Sequence, residues 1–340
     1  MDTIKKLVTV TALTLGLSLP AVAQDVFVVK YSHQDPMSDI SKGHVPATFF
    51  KNYVEEASEG RLRVQIFPSG QLGGDQDSIQ QVQAGMLEIA QVSMGGVANF
   101  APELQVLDLP YMLPNDEVAE YLVEGPLVKE VHDTFIGKMN NSNLVAMSNL
   151  ARWRSFFTTD KPVKNADDLK GLKIRTIQSE LQQEFTRSIG AVPVSMPFGE
   201  VYTGLATGMA DGLKNSVNDM IEFAWFESVK YGYVDQHTNL LGFFFVSDRW
   251  LKSLPEDLQE IVVEGLTQTA KQQTEFNKQR ESLAAEAFEK AGGQLYYPTE
   301  EDMATFEPSR LHMQQWYEAR YGNEWLSKYQ ALIATAEAEI

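Results

Sequence analysis

The 340-residue chain contains no cysteine. That excludes a disulfide framework, a thiol nucleophile and any cysteine-ligated metal. It also suits an oxidising compartment, where free thiols are a hazard. Basic residues are in deficit: 28 Lys and Arg stand against 46 Asp and Glu, for a formal charge of −18. A field of that sign repels nucleic acid and anionic lipid, so any anionic ligand needs a local basic site. Past the first residues no run approaches the roughly 20 apolar residues that a membrane span requires. Enzyme signatures are absent too. There is no Gly-x-Ser-x-Gly elbow and no phosphate loop, and Gly73-Gly74 is followed by Asp75, whose charge repels phosphate. The five histidines, His33, His44, His132, His237 and His312, are scattered, with no pair at zinc-binding helical spacing. Asp75 with Asp77, and Glu300 and Glu301 with Asp302, read as helix openings, because the helix dipole favours acids there. Thr299 with Asp302 makes a capping pair. No nucleophile, base, metal set or cofactor motif is left, so an enzyme has no motif in its support, although the composition does not exclude one.

What is present begins with the N-terminus. Lys5 and Lys6 precede an apolar run from Leu7 to Leu19, then Pro20 and Ala21-Val22-Ala23. This is the layout of a secretory signal peptide, too short for a transmembrane span, with cleavage expected after Ala23. Export places the remainder in the periplasm, with enough length for two domains of ordinary size.

Strand and helix patterns then alternate, the mark of an α/β protein. Val26 to Tyr31 and Leu62 to Phe67 read as strands, Leu87 to Met94 as another, and helices are expected over His44 to Ser58 and Asp77 to Ala84. A second unit starts near Asn149, with strands at Trp153–Thr158, Leu172–Thr176 and Val192–Val194 and helices at Ser179–Ile189 and Phe198–Thr207. Leu240 to Val246 is apolar throughout, as in a fully buried strand. From Pro255 to Ala291 apolar residues keep helical spacing, as one long helix or as two that break near Gly265.

Six segments carry a further signal: Phe67-Pro68-Ser69-Gly70-Gln71-Leu72-Gly73; Leu107-Asp108-Leu109-Pro110-Tyr111; Arg154 with Lys161-Pro162-Val163; Asp168 to Arg175; Pro197 to Leu205; and Thr207-Gly208-Met209-Ala210-Asp211-Gly212 with Asn215. Their joint order and spacing closely resembles the solute-binding subunit of TRAP (tripartite ATP-independent periplasmic) transporters, the DctP type, over nearly the whole chain past the leader. The resemblance implies an α/β, two-lobed periplasmic binding protein with crossing strands and a long helix bracing both lobes. It implies lobes of residues 24–148 plus about 238–275, and 149–237 plus about 276–340. It also implies a monomeric receptor that closes on an organic anion and hands it to the small and large membrane permease subunits, without catalysis. A receptor for a signalling system is the alternative.

The resemblance assigns Arg175 to the ligand carboxylate, a role that the two parallel donors of a guanidinium suit. A wound sheet also binds ligands where Arg175 stands, at a strand end. Arg154 matches a second cleft arginine, and Asn215 matches an asparagine whose amide can both donate and accept. Four neighbours depart from the family pattern: Arg152 and Trp153 precede Arg154, Lys214 replaces an acid, and Ser216 replaces a proline. Trp153 reads as core. Arg152 reads as a surface charge or as extra positive potential in the cleft. His33 and Gln34, in the loop after the first strand, and Asp77, Met94, Phe198, Trp225 and His237 complete the candidate pocket, although capping for Asp77 and core packing for the aromatics are the plainer readings. A C4-dicarboxylate such as succinate or malate, a sugar acid, a 2-oxo acid and an aromatic acid all fit one arginine and one asparagine, and the extra basic residues favour a diacid or a hydroxylated acid.

Overall fold

The computed structural model describes residues 25–135 and 138–340, so the expected leader lies outside the described residues. Among the described residues no helix is long and apolar enough to cross a membrane.

Among the described residues nine strands make one mixed sheet. They are β1 (Phe27–Ser32), β2 (Leu62–Phe67), β3 (Ile89–Ser93), β4 (Ser142–Thr158), β5 (Lys173–Thr176), β6 (Val192–Ser195), β7 (Gly212–Asn215), β8 (Tyr231–Ser247) and β9 (Gln294–Tyr296). The order is β2-β1-β3-β8-β4-β7-β5-β6, with β9 beside β8. β1 lies parallel to β2 and β3, and β5 lies parallel to β6 and β7. Each end of the sheet is therefore a wound parallel unit, as the alternating pattern predicts. The centre differs. β4 and β8 run 17 residues each and pair antiparallel with one another. The Ser142–Asn149 half of β4 and the Leu241–Ser247 half of β8 stand at the β3 side. Their other halves stand at the β7 and β9 sides. These are the crossing strands of a two-lobed binding protein, and the ladder between them slips between Asn149 and Arg152, where the two halves meet.

Helix Glu256–Lys290 is continuous over 35 residues, about 50 Å at 1.5 Å per residue. It does not break at Gly265. An added Cβ there would sit 2.7 Å from Val54 Cγ1 and 3.1 Å from Tyr53 Cδ1, so the glycine serves the close approach of helix His44–Ala57. The long helix buries Leu258, Val262, Leu266 and Ala270 with Val29, Phe50 and Val54 at the β1 side. At its other end it buries Phe288 with Leu213, Met220 and Trp225 at the β7 side. Each such large side chain contributes about 1.5–3 kcal/mol, so both sides are tied to one rigid brace. Residues beyond it touch both sides as well. Helix Glu307–Tyr321 packs on helix Glu180–Ser188, whereas Glu324–Glu339 packs on helix Asp116–Glu124 and the 3-10 turn Pro102–Asp108.

Candidate ligand-binding cleft

The neighbouring strands β4, β7 and β5 carry Arg154, Lys214 with Asn215, and Arg175. Asn215 pairs with Ser155, Lys214 with Phe156, and Arg175 with Leu213. Side chains alternate along a strand, so Arg175 and Asn215 project from one face and Arg154 and Lys214 from the other. All four reach a cavity of about 310 Å³ at the strand ends. That volume lies at the small end of ligand pockets, which span roughly 300–1,000 Å³. The opposite wall comes from the β1 side: Gln34, Asp35 and Lys42, the glycine loop from Ser69 to Gly74, Asp75, and Gln91 to Ser93. Gly73 takes φ +105°, a conformation that other residues rarely adopt, and its carbonyl accepts a 3.0 Å hydrogen bond from Gln34 Nε2.

The cations of the cleft differ in how they are matched. Arg154 is 2% exposed. Its Nη1 donates to Asp108 Oδ1 at 2.8 Å, while its buried Nη2 has no partner. Arg175 is also 2% exposed. Its Nε and Nη2 donate to the Met196 carbonyl at 3.2 and 2.9 Å, and the Phe198 ring lies 5.8 Å away. Among the described residues no carboxylate pairs with it. Burial, with Arg154 nearby, lowers the Arg175 pKa from its usual range to about 9. Lys214 donates to the main-chain and side-chain oxygens of Gln182, at 2.8 and 2.7 Å, and its ammonium stands over the Phe185 ring at 4.8 Å; among the described residues no carboxylate pairs with it. Burial first, and Arg154 second, push its ammonium well below the usual lysine range. Lys42 is the opposite case, paired with Asp35 and, at 3.0 Å, with Asp219. Asp75 accepts from Ser93 N at 3.0 Å and Ser93 Oγ at 2.6 Å, leaving Oδ1 buried and unpartnered, and burial raises its pKa to about 6.

Of the residues expected from sequence, Arg175, Asn215, Arg154, Gln34 and Phe198 line the cavity, and Lys214 joins them. Five do not. Asp77 caps its helix, its Oδ2 accepting from Gly74 N at 2.9 Å. Met94 is buried in the core beside Val92 and Val97. Trp225 sits behind Phe198 with ring centroids 5.5 Å apart and holds that ring in place. His237 is fully buried against Asp235, 2.9 Å from Oδ2, and Phe156. His33 is fully buried, its Nε2 3.3 Å from His44 Nδ1, while its Nδ1 accepts from Asp35 N. Arg152 is neither a surface charge nor a cleft charge. It takes φ +64° at the strand slip and is buried among Asp116, Glu120 and Glu281, turned away from the cavity. Trp153 goes with it, Nε1 donating to Asp116 Oδ1. Lys42, Asp75 and Asp219 were not legible as cleft residues. Asp75 occupies the first turn of a helix, where its acid has a plain local explanation, and only the fold turns it toward Ser93.

The burial of His33 has a pH consequence. Desolvation lowers its pKa from 6.5 to about 4, against the opposing pull of Asp35. A depressed imidazole stabilises the fold fully above its unfolded pKa, and that contribution is lost as pH falls from about 6.5 toward 4. The stability advantage of the wild type over His33→Gln therefore shrinks by about 1–2 kcal/mol between pH 7.5 and pH 5. Urea unfolding at the two pH values measures it; an unchanged difference refutes the assignment.

Residues 31–320 match the model of the DctP family, described as bacterial extracellular solute-binding protein, family 7. The chain is 29% identical to the C4-dicarboxylate-binding periplasmic protein DctP of Rhodobacter capsulatus over 341 residues, covering 97% of each chain. Another relative, 32% identical over 225 residues, is matched over 65% of its own length. Among solved structures, a TRAP periplasmic solute-binding protein from Anaerococcus prevotii with bound D-glucuronate aligns at TM-score 0.84 and 26% identity, over 92% of this chain and 98% of that one. The sugar acid binding protein DctPAm from Advenella mimigardefordensis, in complex with galactonate, aligns at TM-score 0.87 over 92% and 99%. At 21% identity that likeness is one of fold.

Proposed function

The chain belongs to the bacterial extracellular solute-binding proteins of family 7, which are transport receptors and not enzymes, and from that premise we propose that it captures a small organic acid in the cleft and presents it to the small and large subunits of a TRAP membrane permease. The observation that carries this reading is Arg175: a guanidinium 2% exposed, anchored on the Met196 carbonyl, with no carboxylate among the described residues paired to it. A ligand carboxylate supplies the missing partner, with Asn215 adjacent on β7 to donate or accept. The relatives point to the same ligand class, since the R. capsulatus protein is named for C4-dicarboxylates and the A. prevotii structure holds D-glucuronate. Signalling has no observation in its favour.

The receptor acts as a monomer. Its lobes comprise residues 24–148 with about 238–275, and 149–237 with about 276–321. The last helix crosses back to the first lobe, which its packing on Asp116–Glu124 supports. Ligand contact with both walls of the cleft favours the closed arrangement, because only that state offers both sets of contacts.

A thermal-shift screen of succinate, L-malate, D-glucuronate, D-galactonate and other organic acids, against neutral sugars and amino acids, tests the reading. At least one acid raises the melting temperature and comes back chemically unchanged by mass spectrometry. A shift with neutral solutes alone would rule the reading out, and so would turnover of the bound acid.

A further inference from the structure

Lys214 ties its strand to the helix of Gln182 and stands over the Phe185 ring, yet among the described residues no acid is paired with it. It is 3% exposed, and burying an ammonium is costly unless it is paired. Its acceptors are both neutral, the Gln182 carbonyl and side-chain oxygens. An ammonium carries three donors, so at least one is unclaimed. The acids nearest to it make no ion pair with it among the described residues, although Asp108 keeps a buried, unpartnered Oδ2. Asp108 holds Arg154 Nη1 at 2.8 Å, and Asp235 accepts from Tyr111 Oη at 2.7 Å and contacts His237 Nδ1 at 2.9 Å. Arg154 adds a second unclaimed cationic edge, the buried Nη2. Both residues line the cavity, on the sheet face opposite Arg175 and Asn215. The cleft thus offers cationic donors at two places separated by the β7 backbone.

We propose that Lys214 and Arg154 Nη2 form a second anion subsite, so that the preferred ligand is a dianion with one carboxylate on Arg175 and Asn215 and the other on Lys214 and Arg154. This rests on the organic-acid reading and narrows it. A ligand with a single carboxylate fills the Arg175 side and leaves Lys214 as it is in the empty cleft. Two terminal carboxylates satisfy both sides together. The buried unmatched lysine then gains a counter-ion, and each cation is neutralised once the cleft closes and water leaves.

Titration calorimetry at pH 7.5 with chemically matched pairs decides the matter: succinate against its monoamide succinamate, and D-glucarate against D-gluconate. In the wild type the dianion binds at least tenfold more tightly than its partner in at least one pair. Lys214→Met weakens the dianion at least tenfold more than it weakens the monoanion, and Lys214→Arg, which restores a cation, keeps most of the preference. Equal or tighter binding of both monoanions overturns the second subsite while leaving the receptor reading intact. So does an equal loss for both members of a pair in Lys214→Met. If no organic acid binds the wild type at all, both readings fall. Should Lys214→Met not fold, as judged by circular dichroism, Lys214→Gln takes its place, and the wild-type pair comparison stands without either.

Discussion

Arg175→Ala weakens binding of the cognate acid by about 2–5 kcal/mol, which is roughly 30- to 5,000-fold in Kd. The magnitude follows from where the guanidinium sits. Two of its nitrogens are spent on the Met196 carbonyl, at 3.2 and 2.9 Å, and these bonds fix its plane against the Phe198 ring. The remaining edge is pre-set for a carboxylate, so little rotamer entropy is lost when one arrives. Removing the side chain leaves a ligand carboxylate in a closed, poorly solvated site without its partner, a loss far above the ~0–1 kcal/mol of an exposed pair. Arg175→Lys separates charge from geometry: it keeps a cation and loses the fork, so its affinity falls between the wild type and the alanine variant. Stability moves the other way. Without ligand Arg175 is a buried charge with no carboxylate among the described residues paired to it, and burial already lowers its pKa to about 9. The unliganded alanine variant therefore unfolds no more readily than the wild type, despite the small cavity. Calorimetry with the acid found in the screen, and urea unfolding without it, make the two measurements. Wild-type affinity in Arg175→Ala removes Arg175 from the site.

The sequence shows clearly those parts of the fold in which one face is wet. β2 alternates as Leu62, Val64 and Ile66 against Arg63 and Gln65, and its strand is found where the alternation lies. The long helix is legible from its apolar spacing, and its one ambiguous point, Gly265, is decided by contact with another helix, which no local pattern reveals. β4 and β8 were read at less than half their length. The missed portion of β4 holds Ser148, Asn149 and Arg152, which look like a loop. They are paired with the long helix instead: Ser148 Oγ to Gln273 Oε1 at 2.6 Å, Asn149 N to Thr274 Oγ1 at 3.1 Å, and Asn277 Nδ2 to the Leu150 carbonyl at 2.6 Å. A buried crossing between polar faces carries no hydrophobic period. β7 is only four residues long and exists because β4 and β5 flank it. The site shows the same division. Arg154, Arg175 and Asn215 were legible because they sit in ordered motifs, Arg175 and Asn215 at or next to strand ends and Arg154 within β4. His33, Met94, Trp225 and His237 were candidates for the pocket wall beside the plainer reading of core packing, and the fold buries all four, because one step along a strand or loop reverses the direction of a side chain. Lys42 and Asp219 come from segments far apart in the chain, and nothing local in either marks them as partners.

Lys42→Met destabilises the protein by about 3–5 kcal/mol at pH 7.5, the cost of stranding buried acids by removing their shared cation. Lys42 stands on the β1 side of the cleft. Its ammonium contacts Asp35 and, across the cleft, Asp219 at 3.0 Å, with the Phe223 ring 4.4 Å away. Its backbone N–H donates to both carboxylate oxygens of Glu222, at 3.1 and 3.0 Å. Burial alone would lower the Lys42 pKa, but Asp219, Asp35 and Glu222 together reverse that and hold the ammonium above its usual range. The acids feel the reverse strain. Burial raises Asp219, and it raises Glu222 from 4.5 to about 7, in each case against the pull of Lys42. A carboxyl with a raised folded pKa favours the fold below its unfolded value, and that contribution is lost as pH climbs through the folded value. Without Lys42 both acids rise further and bind protons in the folded state. The damage is therefore greatest at pH 7.5 and shrinks toward pH 5, where the acids are neutralised. Lys42→Arg keeps the charge and retains most of the stability. Because the contact joins the β1 side to the β7 side, its loss also weakens the closed arrangement of the cleft, so Lys42→Met binds ligand less tightly although Lys42 is already neutralised by protein acids. Urea unfolding of both variants at pH 7.5 and pH 5 carries the test. A loss below 1 kcal/mol at pH 7.5, or one of equal size at both pH values, would show that this ion cluster does not hold the two sides together.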